Sequence, residues 1–428
     1  MAQPVASVPP DSILWTATAR QVAIPTSVVP AKVDVAVIGG GYTGLAAARA
    51  LARVGASVVV LERERIGFGA SGRNGGFVLP GYKADLATII RRFGQVRARA
   101  LFEASLAALD FVERLISEES IACHWGRPGG ITLAARPAHF AALRAERDLL
   151  AREFGHATTL LGPAELCNEI GSSRYHGGLL DPAAGAVQPV EYLHGLAAAA
   201  ARAGATLCER CGVRRVDRTG RRFRLQTEAG EVEAGEVLLA TNGYCGGLVP
   251  WIARRVVPVG SFIIATAPLD RSLASRLIPR GRVLSDTKNL LYYFRLSPDG
   301  RMVFGGRAAF RPEAVERSLA ILRAGMVEVF PELVGTRIEF GWGGTLGFTL
   351  DQLPHAGRQD GISYALGYCG HGVACASWLG DQVGTALAGR GPWPALAELP
   401  FRAIPFYSGR PWFLPLAGAY YQLKDRLV

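Results

Sequence analysis

Residues 33–51 have the sequence VDVAVIGGGYTGLAAARAL, and this segment alone predicts most of the fold. The apolar run at residues 33–38 is typical of a buried parallel strand and leads directly into a glycine-rich turn. In the turn, Gly39, Gly41 and Gly44 have the spacing G-x-G-x-x-G. The first glycine permits a tight turn, the second lets a pyrophosphate approach the backbone, and the third lets the next helix pack closely on the strand. We therefore expect a helix whose positively polarised amino end binds phosphate groups.

The residues after this turn complete a unit that binds the ADP part of a dinucleotide. The predicted helix runs from about Thr43 to Val54, and residues 57–61 form a second apolar strand. Glu62 follows that strand, close to the spacing of about 20 residues at which a carboxylate binds ribose hydroxyls. These elements together predict a Rossmann unit; a glycine-rich turn without a cofactor is the alternative.

A second glycine-rich segment favours FAD over a nicotinamide cofactor. Residues 67–78 have the sequence GFGASGRNGGFV and follow the second strand almost at once. An ordinary nicotinamide-binding domain has no such loop at this position, whereas FAD requires contacts along its whole length. Ser71 offers a hydroxyl to the pyrophosphate, and Gly75 with Gly76 would let the backbone lie against a flat ring. A plain surface loop is the alternative.

Two later segments agree with a long cofactor. VLLATNGY (237–244) ends a buried strand with small and turn-forming residues, and GYCGHGVACASWLGDQVGTAL (367–387) contains a glycine-rich turn from strand to helix. The helix that begins near Gly372 and Val373 would point N–H groups at the pyrimidine edge of a flavin, where negative charge develops on reduction. The predicted FAD-binding residues are Gly39, Gly41, Tyr42, Thr43, Gly44, Glu62, Arg63, Gly69, Ala70, Ser71, Asn74, Gly75, Gly76, Val213, Thr241, Gly243, Gly370, His371, Gly372 and Val373.

The size and composition of the chain argue against several other classes of protein. A chain of 428 residues is too long for one hydrophobic core, so we expect two domains. Its 49% of hydrophobic and 19% of charged residues describe a globular protein, and no uninterrupted apolar run reaches the ~18 residues of a membrane span. The formal net charge is +11, but the basic residues are spread along the chain, which argues against nucleic-acid binding.

The seven cysteines and the amino terminus indicate a cytoplasmic protein. An odd number of cysteines at irregular spacing is typical of a reducing compartment, and the first residues lack the apolar core of a secretory signal. Cys208 and Cys211 form a lone C-x-x-C pair, but zinc needs four ligands and no second pair lies nearby. We expect no metal site.

The order of the predicted elements indicates two interleaved domains, because Rossmann-type strands and helices return twice after other segments. The fold class is α/β plus α+β, with a Rossmann-like FAD-binding domain interleaved with a mixed-sheet substrate domain. The expected segments are an N-terminal arm wrapped on the surface (1–32), an FAD-binding domain in three parts (33–85, 185–250 and 345–400), a substrate domain in two parts (86–184 and 251–344) and a C-terminal tail (401–428).

These motifs together resemble the FAD-dependent D-amino-acid-oxidase-like superfamily, to which glycine and sarcosine oxidases belong. The shared segments are the first strand–helix–strand unit, GASGRNGG (69–76), ATNG (240–243) and GHGV (370–373). Within the superfamily, the chain looks most like the gamma-glutamylputrescine oxidoreductase branch through YYFRLSPDGRMVFGGR (292–307), FPELVGTRIEFGWGG (330–344) and PFYSGRP (405–411). The resemblance covers nearly the whole chain and implies the glutathione-reductase-like FAD fold.

The resemblance implies an FAD-dependent amine oxidase or dehydrogenase that acts on CH–NH or CH–NH2 donors. A hydride leaves the carbon next to an amine nitrogen, the imine hydrolyses to an aldehyde and an amine, and oxygen or another acceptor takes the electrons. The implied substrate is gamma-glutamylputrescine or a related amine. The alternative is an amino or imino acid oxidase or dehydrogenase of the glycine, sarcosine, pipecolate or D-amino acid type. An NADPH-dependent flavin monooxygenase and a non-enzymatic flavin-binding protein are more distant alternatives.

The chain departs from the superfamily pattern in two respects. Members that oxidise α-amino acids bind the carboxylate with an arginine shortly before a T-P-D-x-x-P segment, and the matching position here is at or next to Leu346. This difference favours an amine over a simple α-amino acid. Covalent members attach the flavin through a histidine in the first glycine loop or through a later cysteine, but this loop has no histidine and no cysteine lies between Cys245 and Cys369. We expect non-covalent FAD.

Candidate catalytic and substrate-binding residues follow from their expected position near the flavin. His371 is the ionisable side chain nearest the expected flavin edge, aromatic faces attract cations, and arginine binds carboxylates. Lys288 is a weaker candidate for promoting a reaction with oxygen, and a structural role is the alternative for every one of these residues. The catalytic candidates are His371, Trp342 and Tyr293, and the substrate-binding candidates are Tyr292, Arg295 and Arg307.

Overall fold

The computed structural model describes residues 11–20, 22–25, 27–306 and 315–427. The helices are α1 (Leu14–Thr18), α2 (Tyr42–Arg53), α3 (Ala70–Arg73), α4 (Leu86–Phe93), α5 (Gln95–Glu118), α6 (Pro137–Phe154), α7 (Pro163–Leu166), α8 (Pro189–Arg202), α9 (Pro250–Ala253), α10 (Arg271–Leu277), α11 (Val315–Val329), α12 (Gly372–Leu387) and α13 (Leu414–Leu427). The strands are β1 (Lys32–Ile38), β2 (Val58–Leu61), β3 (Phe77–Val78), β4 (Gly130–Leu133), β5 (Thr159–Leu161), β6 (Gly178–Asp181), β7 (Gly185–Ala186), β8 (Thr206–Cys208), β9 (Val213–Thr219), β10 (Arg222–Thr227), β11 (Gly230–Leu239), β12 (Val257–Thr266), β13 (Val283–Asp286), β14 (Tyr292–Leu296), β15 (Met302–Gly306), β16 (Ile338–Phe348), β17 (His355–Gln359) and β18 (Ile362–Leu366). None of the helices in these ranges is long and apolar enough to cross a membrane.

The first sheet has the strand order β17-β18-β11-β1-β2-β8, and β10 and β9 extend from β11 as an antiparallel meander. β1 pairs in parallel with β2 and β11, and β11 pairs in parallel with β18. Val35 and Val37 of β1 lie in the core shared with α2, α5, α8 and α12, whereas Ala36 and Ile38 lie in the core on the opposite face. Because both faces of β1 are buried, its sequence is almost continuously apolar.

The second sheet has the order β16-β12-β15-β14-β13-β4-β6-β5. Its neighbouring strands are antiparallel except β13 and β4, which are parallel. α11 covers one face and packs against Phe294 and Phe304 of the sheet. The first sheet takes strands from residues 32–61, 206–239 and 355–366, and the second from residues 130–181 and 257–348. The predicted fold class, two interleaved domains with a Rossmann-like sheet and a mixed sheet, is confirmed.

The packing differs from the expected segments in two places. α5, expected in the substrate domain, buries Leu101 and Leu109 in the core that α2 and α12 share with the first sheet. Helical periodicity predicts an apolar face but not the layer on which that face packs. The glycine-rich stretch 341–347 is part of β16, which pairs with β12 along its length and crosses the expected boundary between residues 344 and 345. Because glycine has no side chain, the stretch showed no strand alternation.

Two residues of the described N-terminal arm are buried in the interior of the protein. Leu14 and Trp15 of α1 are fully buried, and Ser12 forms an antiparallel bridge with Gly341 of β16. The expectation of an arm wrapped on the surface is wrong for Leu14 and Trp15, whereas residues 16–18 and 22–23 are exposed. A buried leucine and tryptophan remove a large apolar area from water, which outweighs the lack of regular periodicity in this segment.

Candidate active site

A cavity of about 590 Å³ lies at the carboxyl ends of the parallel strands of the first sheet. Ile38 at the end of β1, Leu61 at the end of β2 and Ala240 after β11 all line it. Ligands of open α/β sheets bind at this edge, and the volume is in the usual range for ligand sites. The predicted FAD-binding residues that line the cavity are Gly39, Gly41, Tyr42, Thr43, Glu62, Arg63, Gly69, Ala70, Ser71, Asn74, Val213, Thr241, Gly370, Gly372 and Val373.

The first glycine turn, residues 39–44, has the geometry that its spacing predicts. Gly39 has a φ of +110°, and a Cβ atom there would lie 2.9 Å from the carbonyl oxygen of Ala240. A Cβ atom on Gly44 would lie 2.0 Å from the Gly39 oxygen, so only glycine lets α2 pack on the turn. Gly44 thus acts through packing and does not itself line the cavity. Gly41 is the N-cap of α2, whose first turn does line it.

Glu62 lines the cavity at the end of β2 with its carboxylate held by the backbone. Its Oε2 accepts a hydrogen bond from the Gly40 N–H at 2.7 Å, and its Oε1 accepts one from the Glu64 N–H at 3.0 Å. A carboxylate accepts about four hydrogen bonds, so each oxygen can take another from a ribose hydroxyl. The geometry fits the predicted ribose-binding role.

The second glycine loop, residues 67–76, folds around the short helix α3 and contacts the first glycine turn. Ser71 Oγ accepts a hydrogen bond from the Tyr42 N–H at 3.1 Å, and a Cβ atom on Gly41 would lie 2.8 Å from the same oxygen. The Asn74 amide donates to the Ser71 carbonyl at 2.8 Å, while its oxygen accepts from the N–H two residues along the chain at 2.8 Å. The two glycine motifs therefore form one continuous wall.

Gly75 and Gly76, which are predicted to contact the flavin ring, do not line the cavity. A Cβ atom on Gly75 would lie 3.0 Å from the ring of Tyr293, and one on Gly76 would lie 2.3 Å from the carbonyl oxygen of Val187. These two glycines make room for other parts of the protein. Their spacing in the sequence cannot show this, because both partners are distant along the chain.

Leu346 of β16 and the start of α12 form another part of the cavity wall. A Cβ atom on Gly370 would lie 3.7 Å from Leu346 Cδ1, so the two segments meet there. Gly243 does not line the cavity as predicted, since a Cβ atom on it would lie 2.8 Å from the Leu346 carbonyl oxygen. The Tyr368 hydroxyl lies 2.7 Å from Thr43 Oγ1, and burial raises the pKa of Tyr368, so this hydroxyl stays neutral.

Tyr292 and Tyr293 lie on opposite faces of β14, because successive side chains of a strand alternate. Tyr293 packs beside the second glycine loop, against Gly75 and Phe77. Tyr292 packs towards α11, where Gly325 makes room for its ring. The expectation that both tyrosines wall the amine site is therefore wrong for Tyr292. Tyr293 adjoins the loop but does not line the cavity.

Trp342 and Arg295 are buried, and both bind the backbone of the second glycine loop. The Trp342 indole N–H donates to the Arg73 carbonyl at 2.9 Å. Arg295 donates to the carbonyls of Gly76 at 3.0 Å and Val187 at 2.9 Å, and burial lowers its pKa to about 10. Neither residue lines the cavity, so the structure does not bring the predicted catalytic Trp342 and substrate-binding Arg295 to it. The polar groups of both side chains already donate hydrogen bonds to backbone carbonyls.

The other candidates have different positions. His371 is the N-cap residue of α12 and lies between two glycines that line the cavity, although its own side chain does not line it. Lys288 Nζ lies 3.1 Å from the buried carboxylate of Asp286 and packs on the ring of Tyr292, on the face of β14 turned away from the glycine loop. Arg307 lies outside the described residues.

None of the seven cysteines forms a disulfide in this structure, and all seven positions are described. Cys245 lines the cavity, and burial raises its pKa to about 11. Its thiol is therefore protonated at neutral pH and is a poor nucleophile. Cys208 and Cys211 are buried, and burial raises the pKa of both thiols. Across the described ranges, no group of His, Cys, Asp or Glu side chains could hold a metal ion.

Some residues line the cavity only because the topology of the sheet brings distant segments there, and the sequence does not predict them. β9 contributes residues 213–217, of which the sequence predicts only Val213, and residues 244–248 follow β11. Asn242 was also missed, although its position in ATNG carries a signal. It has a φ of +45°, and its Oδ1 accepts a hydrogen bond from the Gly367 N–H at 2.9 Å. An asparagine after a buried strand is a known left-handed turn residue.

Comparison with known proteins assigns the family. Residues 34–385 match the family described as DAO, FAD dependent oxidoreductase. The chain belongs to this family. It is 36% identical over 403 residues to gamma-glutamylputrescine oxidoreductase of Escherichia coli (strain K12), covering 92% of this chain and 93% of that protein.

Solved structures of the family share the fold. Glycine oxidase from Geobacillus kaustophilus has a TM-score of 0.71 at 20% identity and covers 89% of this chain and 99% of its own. L-proline dehydrogenase from P. horikoshii also has a TM-score of 0.71 at 20% identity, with 86% and 96% covered. At this identity the likeness concerns the fold.

Family membership confirms the predicted cofactor, FAD, and the predicted class, an FAD-dependent amine oxidase or dehydrogenase. The residues of the cavity fit this cofactor. The first glycine turn leaves space for phosphates at the start of α2, Glu62 presents a backbone-held carboxylate, and the start of α12 lies beside Leu346.

Proposed function

We propose that the enzyme removes a hydride from the carbon next to an amine nitrogen of gamma-glutamylputrescine or a related amine. The imine then hydrolyses to an aldehyde and an amine. The 36% identity over 92% of the chain to an enzyme named for this substrate supports the proposal. When bound, FAD supplies the hydride acceptor. The protein's own residues position the amine, exclude water and keep the amine neutral.

The observation that carries the proposal is Leu346. This side chain lines the cavity beside Gly370, at or next to the position where α-amino acid oxidases of the superfamily are expected to have arginine. A leucine offers no bidentate partner to a carboxylate on the reacting carbon. Tyr368, which also lines the cavity, is neutral, and an apolar, neutral wall lowers the pKa of an amine. Such a wall suits an amine whose carboxylate, if it has one, lies far from the reacting carbon.

Further parts of the proposal concern roles that the family alone does not define. His371 at the start of α12 and Tyr293 beside the second glycine loop are our candidates for contact with the bound substrate. We propose that FAD is bound without a covalent link and that oxygen or another acceptor reoxidises it. We also propose a cytoplasmic location, in line with seven cysteines that form no disulfide.

Anaerobic flavin bleaching tests the substrate class. The purified holoenzyme is mixed with gamma-glutamylputrescine, with putrescine, with glycine, sarcosine, pipecolate and D-alanine, and with NADPH. We expect the amine with the gamma-glutamyl group to bleach the flavin fastest and NADPH to have no effect. Bleaching by amino acids alone would establish the amino acid oxidase alternative, and bleaching by NADPH alone would establish a monooxygenase.

A variant of Leu346 tests the observation that carries the proposal. Leu346→Arg should slow bleaching by the amine at least about tenfold, because a cation in the neutral wall repels the ammonium form that arrives from solution and replaces apolar surface. Leu346→Met, which conserves volume and polarity, is the matched control and should stay within about threefold of wild type. Equal rates for all three proteins would remove Leu346 from the substrate site.

A further inference from the structure

Residues 11–20 of the N-terminal arm lie between the second glycine loop and β16, the edge strand of the second sheet. Ser12 bridges Gly341 of β16, and the rings of Trp15 and Trp342 meet edge to face at 6.3 Å between centroids. The arm therefore contacts both domains at one place. The strand it meets also carries Leu346 into the cavity.

Two indole groups bind consecutive carbonyls of the loop. The Trp15 N–H donates to the Asn74 carbonyl at 2.7 Å, and the Trp342 N–H donates to the Arg73 carbonyl at 2.9 Å. These residues end α3, and a helix end leaves its last carbonyls without partners. One donor comes from the arm and the other from β16. The end of α3 is thus fastened from both sides.

Arg73 adds a charged connection between the same three segments. Asp11 of the arm binds the guanidinium through both carboxylate oxygens, one of them at 2.9 Å from Nη2. The guanidinium also donates to the Gly343 carbonyl of β16 at 2.9 Å and to the Phe68 carbonyl of the loop at 2.7 Å. Paired, bidentate hydrogen bonds of this kind fix orientation as well as distance.

The far end of the arm is anchored to α8. The Trp15 carbonyl accepts a hydrogen bond from the buried Gln188 side chain at 2.7 Å, and the Arg20 N–H donates to Glu191 at 3.2 Å. Gln188 in turn caps α8, since its side-chain oxygen accepts the N–H groups of Val190 and Glu191. The arm is therefore fixed to α8, which packs on the first sheet, on one side of the loop.

The loop needs this external support. α3 has four residues, too few to be stable by itself, and Gly67 and Gly76 at the ends of the loop have positive φ. Such a segment has many backbone conformations of similar energy unless tertiary contacts select one. Ser71 and Asn74, which line the cavity, take their positions from that conformation.

We propose that Asp11 and Trp15 are positioning residues for the flavin site. They hold the end of α3 against β16 and so set the separation between two walls of the cavity, with Ser71 and Asn74 on one side and Leu346 on the other. Neither residue lines the cavity. The proposal concerns the FAD site and is independent of which amine is the substrate.

Trp15→Phe in the full-length chain tests the proposal, because it keeps the buried ring and removes the hydrogen-bond donor. We expect the Kd for FAD to rise about fivefold, the value of one buried hydrogen bond. We also expect changes in the visible circular dichroism and in the midpoint potential of the bound flavin. The matched control is Trp125→Phe, which removes an indole hydrogen bond to Glu113 outside the cavity lining.

Asp11→Asn is the second variant, since the Asp11 side chain is about half exposed and its exchange leaves the core intact. We expect a smaller rise in the Kd for FAD with the same kind of spectral change. The melting temperature of each apoprotein is measured beside these values. A lower melting temperature with an unchanged Kd, circular dichroism and midpoint potential would show a purely structural arm and overturn the proposal. An equal effect of Trp125→Phe would overturn it as well, and if Trp15→Phe fails to fold, Asp11→Asn decides.

Discussion

Gly44 of the first glycine turn and Gly75 of the second glycine loop are both required by close packing, but the source of the constraint differs. In the turn, Gly44 is required by the carbonyl of Gly39, five residues earlier in the same strand–helix unit. In the loop, residues 67–76, Gly75 is required by Tyr293 on the second sheet. The spacing of a motif indicates a constraint that neighbouring residues place on a glycine. A constraint from a distant residue depends instead on which segments the topology brings together. This difference explains which features of the structure a sequence motif can indicate.

The largest effect is expected from the local constraint. Gly44→Ala places a Cβ atom 2.0 Å from the Gly39 oxygen, and neither backbone can move without opening the turn. We expect a cost of about 3 kcal/mol or more, which is at least about a hundredfold in FAD affinity. Fluorescence titration of the apoprotein with FAD measures it. Gly335→Ala is the control, because a Cβ atom there meets nothing within 4 Å. Unchanged affinity in Gly44→Ala would show that the turn does not hold the cofactor.

The next effect concerns a tertiary constraint on the loop. Arg295→Met removes the donors to the Gly76 and Val187 carbonyls, which lie 3.0 and 2.9 Å from the guanidinium. Buried carbonyls without partners cost about 1–3 kcal/mol each, partly offset because the buried cation is also removed. We expect the free energy of unfolding to fall by about 2–4 kcal/mol in urea titrations, and the exposed Arg254→Met to leave it unchanged. Full stability combined with lost turnover would instead restore Arg295 as a substrate-binding residue.

A smaller effect on FAD binding is expected at Glu62, which follows β2 at the end of the first strand–helix–strand unit. Glu62→Gln removes the charge and one of the two oxygens that accept the Gly40 and Glu64 N–H groups. The Kd for FAD should rise about tenfold, corresponding to about 1–2 kcal/mol for a charge-assisted hydrogen bond. Glu231→Gln is the matched control, since that exposed side chain pairs with Arg224 and neither residue lines the cavity. If both variants bind FAD equally well, Glu62 has no role in ribose binding.

The bounds of the first strand and helix, residues 32–53, could be predicted to within about one residue. The expected strand at residues 33–38 and helix at residues 43–54 correspond to Lys32–Ile38 and Tyr42–Arg53. Glu62 and most residues of the two glycine motifs line one cavity, as their spacing suggested. Each of these features depends on neighbours a few residues away or on the strand period, both of which a sequence displays directly.

The rest could not be predicted, because it depends on pairing between distant segments. Tyr292 and Tyr293 are adjacent in the sequence, and only the register of β14 decides which of them faces the loop. Trp15 lies in a segment without periodicity, yet its indole binds a loop 59 residues away. A sequence does not show which backbone carbonyls accept hydrogen bonds from an aromatic or arginine side chain. Such residues are therefore predicted to bind a ligand when their partner is the protein's own backbone.

The smallest expected effect separates the two kinds of constraint at Gly75. A Cβ atom there would lie 3.0 Å from Cε2 and 3.4 Å from Cδ2 of Tyr293, so Gly75→Ala must push the ring aside by a few tenths of an ångström. We expect about a fivefold rise in the Kd for FAD, near the low end of overpacking costs. Tyr293→Leu removes both ring atoms, and the double variant Gly75→Ala with Tyr293→Leu should bind FAD no more weakly than Tyr293→Leu alone. Tyr293→Phe keeps the ring and should give no such relief, which makes it the matched control in a double-mutant cycle. If neither tyrosine exchange relieves Gly75→Ala, the glycine is required by the cofactor itself, and the flavin contact predicted from the sequence would stand.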